Sequence, residues 1–392
     1  TCTTGGSNVG IGLSALEALS TASNNVAVGA NALGANNASS NVAVGASAAQ
    51  ASTGVGNTAV GTSALAGSNT ANYNTAIGNS ALENNTSGTT NVAVGRNALN
   101  ANTTGSVNTA VGMRSIDVNT TGYNLTAVGG DSMGANTTGN SNTAIGMDSL
   151  KANTTGAENV AVGTYAGDAV TTATVNTLIG HNAGTNATTG AANTFIGAES
   201  GLSCTTNHYN TIVGYHADTK SDNTTDEYQI SLGFNTESVG ANFFTFGKGT
   251  GNDRVYNGFT SNASWTRVSD ERYKKEIQDN TDCGLAFIND LRPVTFKWKA
   301  KSELDSNFPD YDATKTTADH TGKMYGLIAQ EVKTALDKHN ITDFGGWSSI
   351  TTGDHTQQGV SQEMFIHPLI KAVQELSAKL TAAEARISAL ES

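Results

Sequence analysis

A glycine returns every seventeen residues along the first half of this chain. It stands at Gly61, Gly78, Gly95, Gly112, Gly129, Gly146, Gly163, Gly180, Gly197 and Gly214, and Gly12, Gly29 and Gly45 continue the series upstream with steps of 17, 16 and 16. A period that short is too small for the common helical-hairpin repeats. It fits one coil of a β-solenoid or β-roll, each coil adding a strand about 4.8 Å from the last. Stacking such coils turns columns of sequence into ladders in space.

The columns are chemically sorted. Immediately before the glycine stand Val60, Ile77, Val94, Val111, Val128, Ile145, Val162, Ile179, Ile196 and Val213, whose β-branched side chains suit a buried strand. Four residues after it come Leu65, Leu82, Leu99, Ile116, Met133 and Leu150. These two columns are expected to form a thin continuous core. Two residues before the glycine the chain carries Ala59, Ala76, Ala93, Ala110, Ala127, Ala144 and Ala161, then Leu178, Phe195 and Ile212. Small side chains there would let another chain approach closely, and the later growth in size implies a wider cross-section or a changed interface near residue 175.

An asparagine column, Asn57, Asn74, Asn91, Asn108, Asn142, Asn159, Asn176, Asn193 and Asn210, is placed to hydrogen-bond from rung to rung, with Leu125 as its exception. Gly88, Gly105, Gly122, Gly139 and Gly156, mostly in an N-T-T-G context, read as turn residues of left-handed conformation. The same N-T-T triplets are glycosylation motifs, but a turn repeated in every coil explains them without modification.

Composition agrees with a slender shape. The 392 residues include 44 Gly, 3 Pro and only 6 % aromatics, too few large side chains for one conventional globule of this length. A net charge of −12 argues against an electrostatic grip on nucleic acid or an anionic membrane. Cys2, Cys204 and Cys283 have no metal-like spacing and read as isolated thiols. No run approaches the ~20 apolar residues of a membrane span, and the opening TCTTGGSNVG shows neither Met nor a signal pattern, so the chain is expected to begin inside a longer protein.

Residues 1–214 hold 11 of the charged side chains and the remaining residues hold 43, while all three prolines fall in the later part. Three regions are therefore expected: a repetitive β-roll shaft over 1–214, a β-rich connector over 215–268 containing Phe243, Phe244 and Phe246, and a charged domain over 269–392. One coil carries only two or three apolar residues, so three chains side by side would cover what one leaves bare. Here the N-x-A-V-G-x-x-A-L pattern of residues 8–214 resembles the head repeats of trimeric adhesins, which form a β-roll.

From Ser269 the blocks SDERYKKEIQD, GLAFINDLRPVTFKWK, YGLIAQEV and HPLIKAVQELSAKL occur in order. Together they resemble the endosialidase-type intramolecular chaperone, the self-cleaving C-terminal domain of phage tail spikes and fibres. The last block is also legible from its own spacing. With Ile366 at position a, the a positions are Ile366, Val373, Leu380 and Ile387, and the d positions Leu369, Leu376, Ala383 and Leu390. Lys379 and Arg386 at g precede Glu384 and Glu391 at e by five residues, as attractive pairs between neighbouring chains require. A coiled coil over 366–391 is expected, although a helix packed on its own domain could carry the same stripe.

The fold class expected is thus mainly β: a homotrimeric β-solenoid shaft of 17-residue coils, a small β connector, and an α+β chaperone domain ending in a coiled-coil helix. The resemblance implies cleavage between Val268 and Ser269, with Ser269 as nucleophile, Lys274 as dyad base and Arg272 as an orienting residue. A serine hydroxyl needs such a base, and lysine serves only if burial or nearby cations lower its pKa, which makes Lys275 the reserve candidate. The same residues also make an ordinary helix start with Ser269 as N-cap. As partners the resemblance implies two further copies of the chain, other virion tail proteins and a host cell-surface receptor, with the chaperone acting in the host cytoplasm during assembly.

Rival readings are a bacterial trimeric adhesin, which would end in a membrane-anchor barrel, and a glycan-degrading spike, for which Asp131 and Asp148, one coil apart, are the candidate carboxylates. An ice-binding solenoid is a further reading, weakened because threonines at turns do not make a flat face. His208 and His216 could meet across chains, but the seven histidines show no ligand spacing and no metal is assigned. With no phosphate-cradling glycine loop and no G-x-S-x-G elbow, no cofactor is expected.

Overall fold

A computed structural model describes residues 4–67, 69–220, 227–250, 253–258, 266–267, 271–306, 311–318, 322–352 and 355–391. The chain divides into two compact units, Thr1–Tyr273 and Lys274–Ser392.

The first unit is a β-solenoid. Thirteen three-residue strands, from β1 (Val9–Ile11) to β13 (Thr211–Val213), stack in parallel with like residues opposite each other, so that Thr58, Ala59 and Val60 face Thr75, Ala76 and Ile77. The ladder continues in parallel through β14 (Ile230–Phe234) and β15 (Phe243–Lys248), then reverses into the antiparallel β16 (Arg254–Gly258) and β17 (Thr266–Arg267).

Alternation along each short strand decides what is inside. The central alanine of the strand is fully buried from Ala27 to Ala161 and packs with the leucine column, Leu33 to Leu150. The valines and isoleucines on either side of it point outward, and Ile77, Val128, Ile145, Ile179 and Ile196 are exposed. The expectation is corrected on two counts: the β-branched column is a surface, and the alanine column is core with no neighbour to admit.

The enlargement of that column is corrected as well. The leucine position becomes glycine at Gly167, Gly184 and Gly201, whose missing side chains make room for Leu178 and Phe195 in the alanine column, and Leu178, Phe195 and Ile212 all remain fully buried. Volume moves across the core while the strand register stays in step, so no widening is needed.

Coil corners are made in an unexpected way. The glycines of the N-T-T-G turns do not have positive φ. They are glycine because coils touch there: a Cβ on Gly105 would lie 2.2 Å from the Gly122 carbonyl oxygen. The left-handed corners fall instead on non-glycine residues, Ser80, Leu82 and Thr90 in one coil, with φ of 55, 53 and 59°. Such residues cost roughly 1–2 kcal/mol each and persist because each coil is templated by its neighbours.

Two asparagine ladders tie the coils together. In the one read from sequence, the Asn74 backbone N–H donates to Asn57 Oδ1 at 2.9 Å while Asn74 Nδ2 donates to the Gly88 carbonyl at 3.0 Å. A second ladder was not anticipated: Asn102, Asn119, Asn136 and Asn153 each donate from Nδ2 to the Oδ1 one coil back, at 2.8 to 3.0 Å. These four are the asparagines of the N-T-T-G turns. They are fully buried, which closes them to glycosylation in the folded chain.

In the second unit, α1 (Leu285–Asn289) and α2 (Ala329–Lys338) enclose a small core with two antiparallel strand pairs, β18 (Val294–Phe296) with β19 (Met324–Gly326), and β20 (Trp347–Thr352) with β21 (His355–Val360). Phe287 is fully buried between Phe365, stacked at 6.3 Å, and Phe344, edge-on at 5.8 Å. The chain ends in α3 (Ile366–Glu391), the 26-residue helix expected from the heptads. Among the described residues, no helix is long and apolar enough to cross a membrane.

Candidate functional site

Three places bear on function: the segment carrying the expected cleavage, the helix α3, and the outward strand face. At the first, Val268 and Ser269 lie outside the described residues. Arg272 sits in a single 3-10 turn, Glu271–Tyr273, and is solvent-exposed, as is Lys274. Lys275 Nζ lies 3.8 Å from Glu276 with both side chains open to water. The burial a serine–lysine dyad needs is therefore not supplied around either lysine within its own unit.

Helix α3 uses opposite sides differently. Pro368 and Ala372 are buried against the domain, and Glu375 Oε2 accepts the Leu285 backbone N–H at 2.9 Å, satisfying a free donor at the start of α1. The a and d residues Ile366, Leu369, Val373, Leu376, Leu380, Ile387 and Leu390 remain 52–81 % exposed. The stripe is thus not what holds α3 to its own domain, which removes the alternative left open by the heptads. Lys379, Arg386, Glu384 and Glu391 flank it in solvent.

The outward face of the shaft is uniform. From Val26 to Val213, its two columns contain only Val, Ile and Thr: Thr58, Thr75, Thr109, Thr126, Thr143, Thr177, Thr194 and Thr211 alternate with the β-branched residues already named. Threonines therefore do lie along a flat strand face, contrary to the reason given against an ice-binding surface. Near its C-terminal end exposed rings stack coil on coil, Tyr209 on Tyr228 at 5.1 Å and Tyr215 on Phe234 at 5.7 Å.

The remaining candidates have structural partners. Asp131 pairs with Arg114 at 2.8 Å and Asp148 with Lys151 at 2.9 Å. His208 Nδ1 accepts the Ala191 backbone N–H, and His216 Nδ1 lies 2.8 Å from Asn235 Oδ1. No group of three metal-ligating side chains occurs among the described residues. Burial pushes the Cys204 thiol up to about 12. In the second unit, Asp290 joins Lys338 at 2.7 Å and His339 at 2.6 Å, and Arg292 forks onto Glu331. These pairs span 39 to 49 residues, and no local spacing announces them.

The fold and these surfaces define a class: a β-solenoid shaft followed by a separate α+β domain whose last helix presents an exposed heptad stripe. Residues 269–341 match the family model described as chaperone of endosialidase, a match that runs from the end of the first unit through α2 of the second. Searches among curated proteins and among solved structures return no match for this chain.

Proposed function

We propose that this chain is the shaft of a homotrimeric phage tail fibre or tail spike, carrying a C-terminal chaperone that brings three copies into register and is then cut away between Val268 and Ser269. The observation that carries the reading is the exposed heptad stripe of α3 beside a segment matching the chaperone family. Free copies would bury that stripe in one another, with Lys379 and Arg386 meeting Glu384 and Glu391 across the seam.

The shaft supplies the need for such a device. A charge-free face of Val, Ile and Thr extends over roughly 50 Å of stacked strands, far beyond the apolar patch of an ordinary monomer. Identical coils one rung apart offer nearly equivalent but wrong alignments. A clamp that sets the copies level before the faces meet removes those alternatives, and tethering makes the pairing nearly intramolecular. Ser269 is the nucleophile and Lys274 the base, oriented by Arg272. Because Lys274 and Arg272 are exposed in the single chain, completion of the dyad falls to the assembled state, which couples cleavage to correct assembly. Exposed turns of the shaft are the surface for a host receptor.

The test compares the chain with its Ser269→Ala variant by intact mass and sedimentation. The expected result is a trimeric shaft and a product beginning at Ser269 from the parent, and an uncut trimer from the variant. An intact monomer from both would overturn the proposal.

A further inference from the structure

At the foot of α3 the domain holds an apolar groove of about 260 Å³, lined by Ile288, Leu291, Pro293, Leu327 and Phe365 and bounded by Ile366 and Leu369. Its rim is thus the start of the exposed a/d stripe, so groove and stripe are one continuous apolar surface. Heptad arithmetic names what arrives there. In a parallel coiled coil a g residue faces the e residue five positions on in the next copy, the rule that pairs Lys379 with Glu384 and Arg386 with Glu391. Seven residues before Ala372, where the g column would continue, stands Phe365, the last residue of the 3-10 turn Gln362–Phe365 that leads into α3 and a largely buried wall of this groove, and five residues on from it stands Ile370, an e residue that is half exposed on its own chain. The charged e/g pairs of the distal helix are therefore replaced, at the end nearest the domain, by an aromatic wall and an isoleucine.

We infer that Ile370 of a neighbouring copy seats in this groove, against Phe365 and Leu291, and locks the chaperone domain of one chain to the helix of the next. The contact rests on the parallel coiled-coil reading above. Its role is to fix the rotation of each domain about the bundle, which a coiled coil alone leaves to its e/g charges. Those charges are screened by salt, whereas the seated isoleucine is not.

The experiment co-expresses two differently tagged full-length chains, both carrying Ser269→Ala so that the chaperone stays attached, one with Leu291→Cys and the other with Ile370→Cys, oxidises the purified assembly, and examines disulfide-linked species on non-reducing gels. A linked pair bearing both tags is expected, with neither single variant linking to itself. In parallel, Ile370→Ser should raise the concentration at which the assembly dissociates by roughly tenfold, as expected for losing one buried aliphatic side chain, while Ile370→Leu should leave it nearly unchanged. Trimers by sedimentation without the mixed link would overturn this contact and leave the trimer standing. Monomers by sedimentation for the unmodified chain would instead remove the reading on which it rests.

Discussion

Phe195 occupies the space that Gly201 vacates: a Cβ on Gly201 would lie 2.5 Å from the Phe195 ring. In earlier coils the same two positions hold alanine and leucine, and Leu65 adopts the left-handed conformation that Gly201 also has. The two residues thus act as one volume. Phe195→Ala should destabilise the shaft by about 3–5 kcal/mol through the cavity it leaves, and Gly201→Leu should be comparably damaging through overlap. The double variant restores the pattern of the earlier coils, so denaturation midpoints should show a loss well below the sum of the two.

Ile145 and Ala144 are neighbours with opposite orientation, one exposed and one fully buried. Ile145→Lys should leave the coil folded but oppose association of the shafts, lowering the trimer fraction in sedimentation at unchanged circular dichroism. Ala144→Lys should abolish cooperative melting, because a charge cannot be accommodated in so narrow a core. Covering of the outward face in the proposed trimer also predicts no freezing hysteresis for the assembled chain. A measurable gap between melting and freezing points would mean that the threonine face is open to ice.

Cys204 is fully buried and its thiol pKa is raised to about 12 by desolvation. A raised pKa keeps the neutral form in the folded chain, so this contribution is intact below the ordinary thiol range and is lost as pH rises toward 12. At pH 8 Cys204 should resist alkylation in the native shaft and react on unfolding, as peptide mapping of labelled protein would show.

The Asp290 carboxyl is held below its usual range by hydrogen bonds from Lys338 and His339. A lowered pKa contributes stability above the unfolded value and loses it as pH falls through the folded one, so the second unit should weaken below about pH 4. Asp290→Asn should flatten that acid limb in thermal melts at pH 3 to 5. An unchanged limb would assign the acid sensitivity elsewhere.

Much of the architecture is legible before any coordinates. The glycine period, the first asparagine ladder and the heptads of α3 all depend on separations along the chain, and stacking preserves them as separations in space. The turn glycines were legible as special positions but for the wrong reason: Gly105 is compelled by the carbonyl of the next coil, a contact invisible in one coil's sequence. The groove beside Phe365 draws residues from three separate segments, and the Asp290 cluster from two, so neither leaves a local signature.

The decisive ambiguity was one of phase. In Thr-Ala-Val a strand alternates sides at every residue, and either Ala alone or the Thr and Val pair can face inward. Hydrophobicity favours valine inside. Where a leucine fills the centre of the closed coil, room is left opposite it only for alanine; where glycine replaces the leucine, Leu178 and Phe195 enter instead, and Val or Ile outside is kept in both cases. Period and stacking follow from the order of residues alone, whereas the identity of the inner face follows from the volume the closed coil encloses, and that volume exists only once the coil has formed.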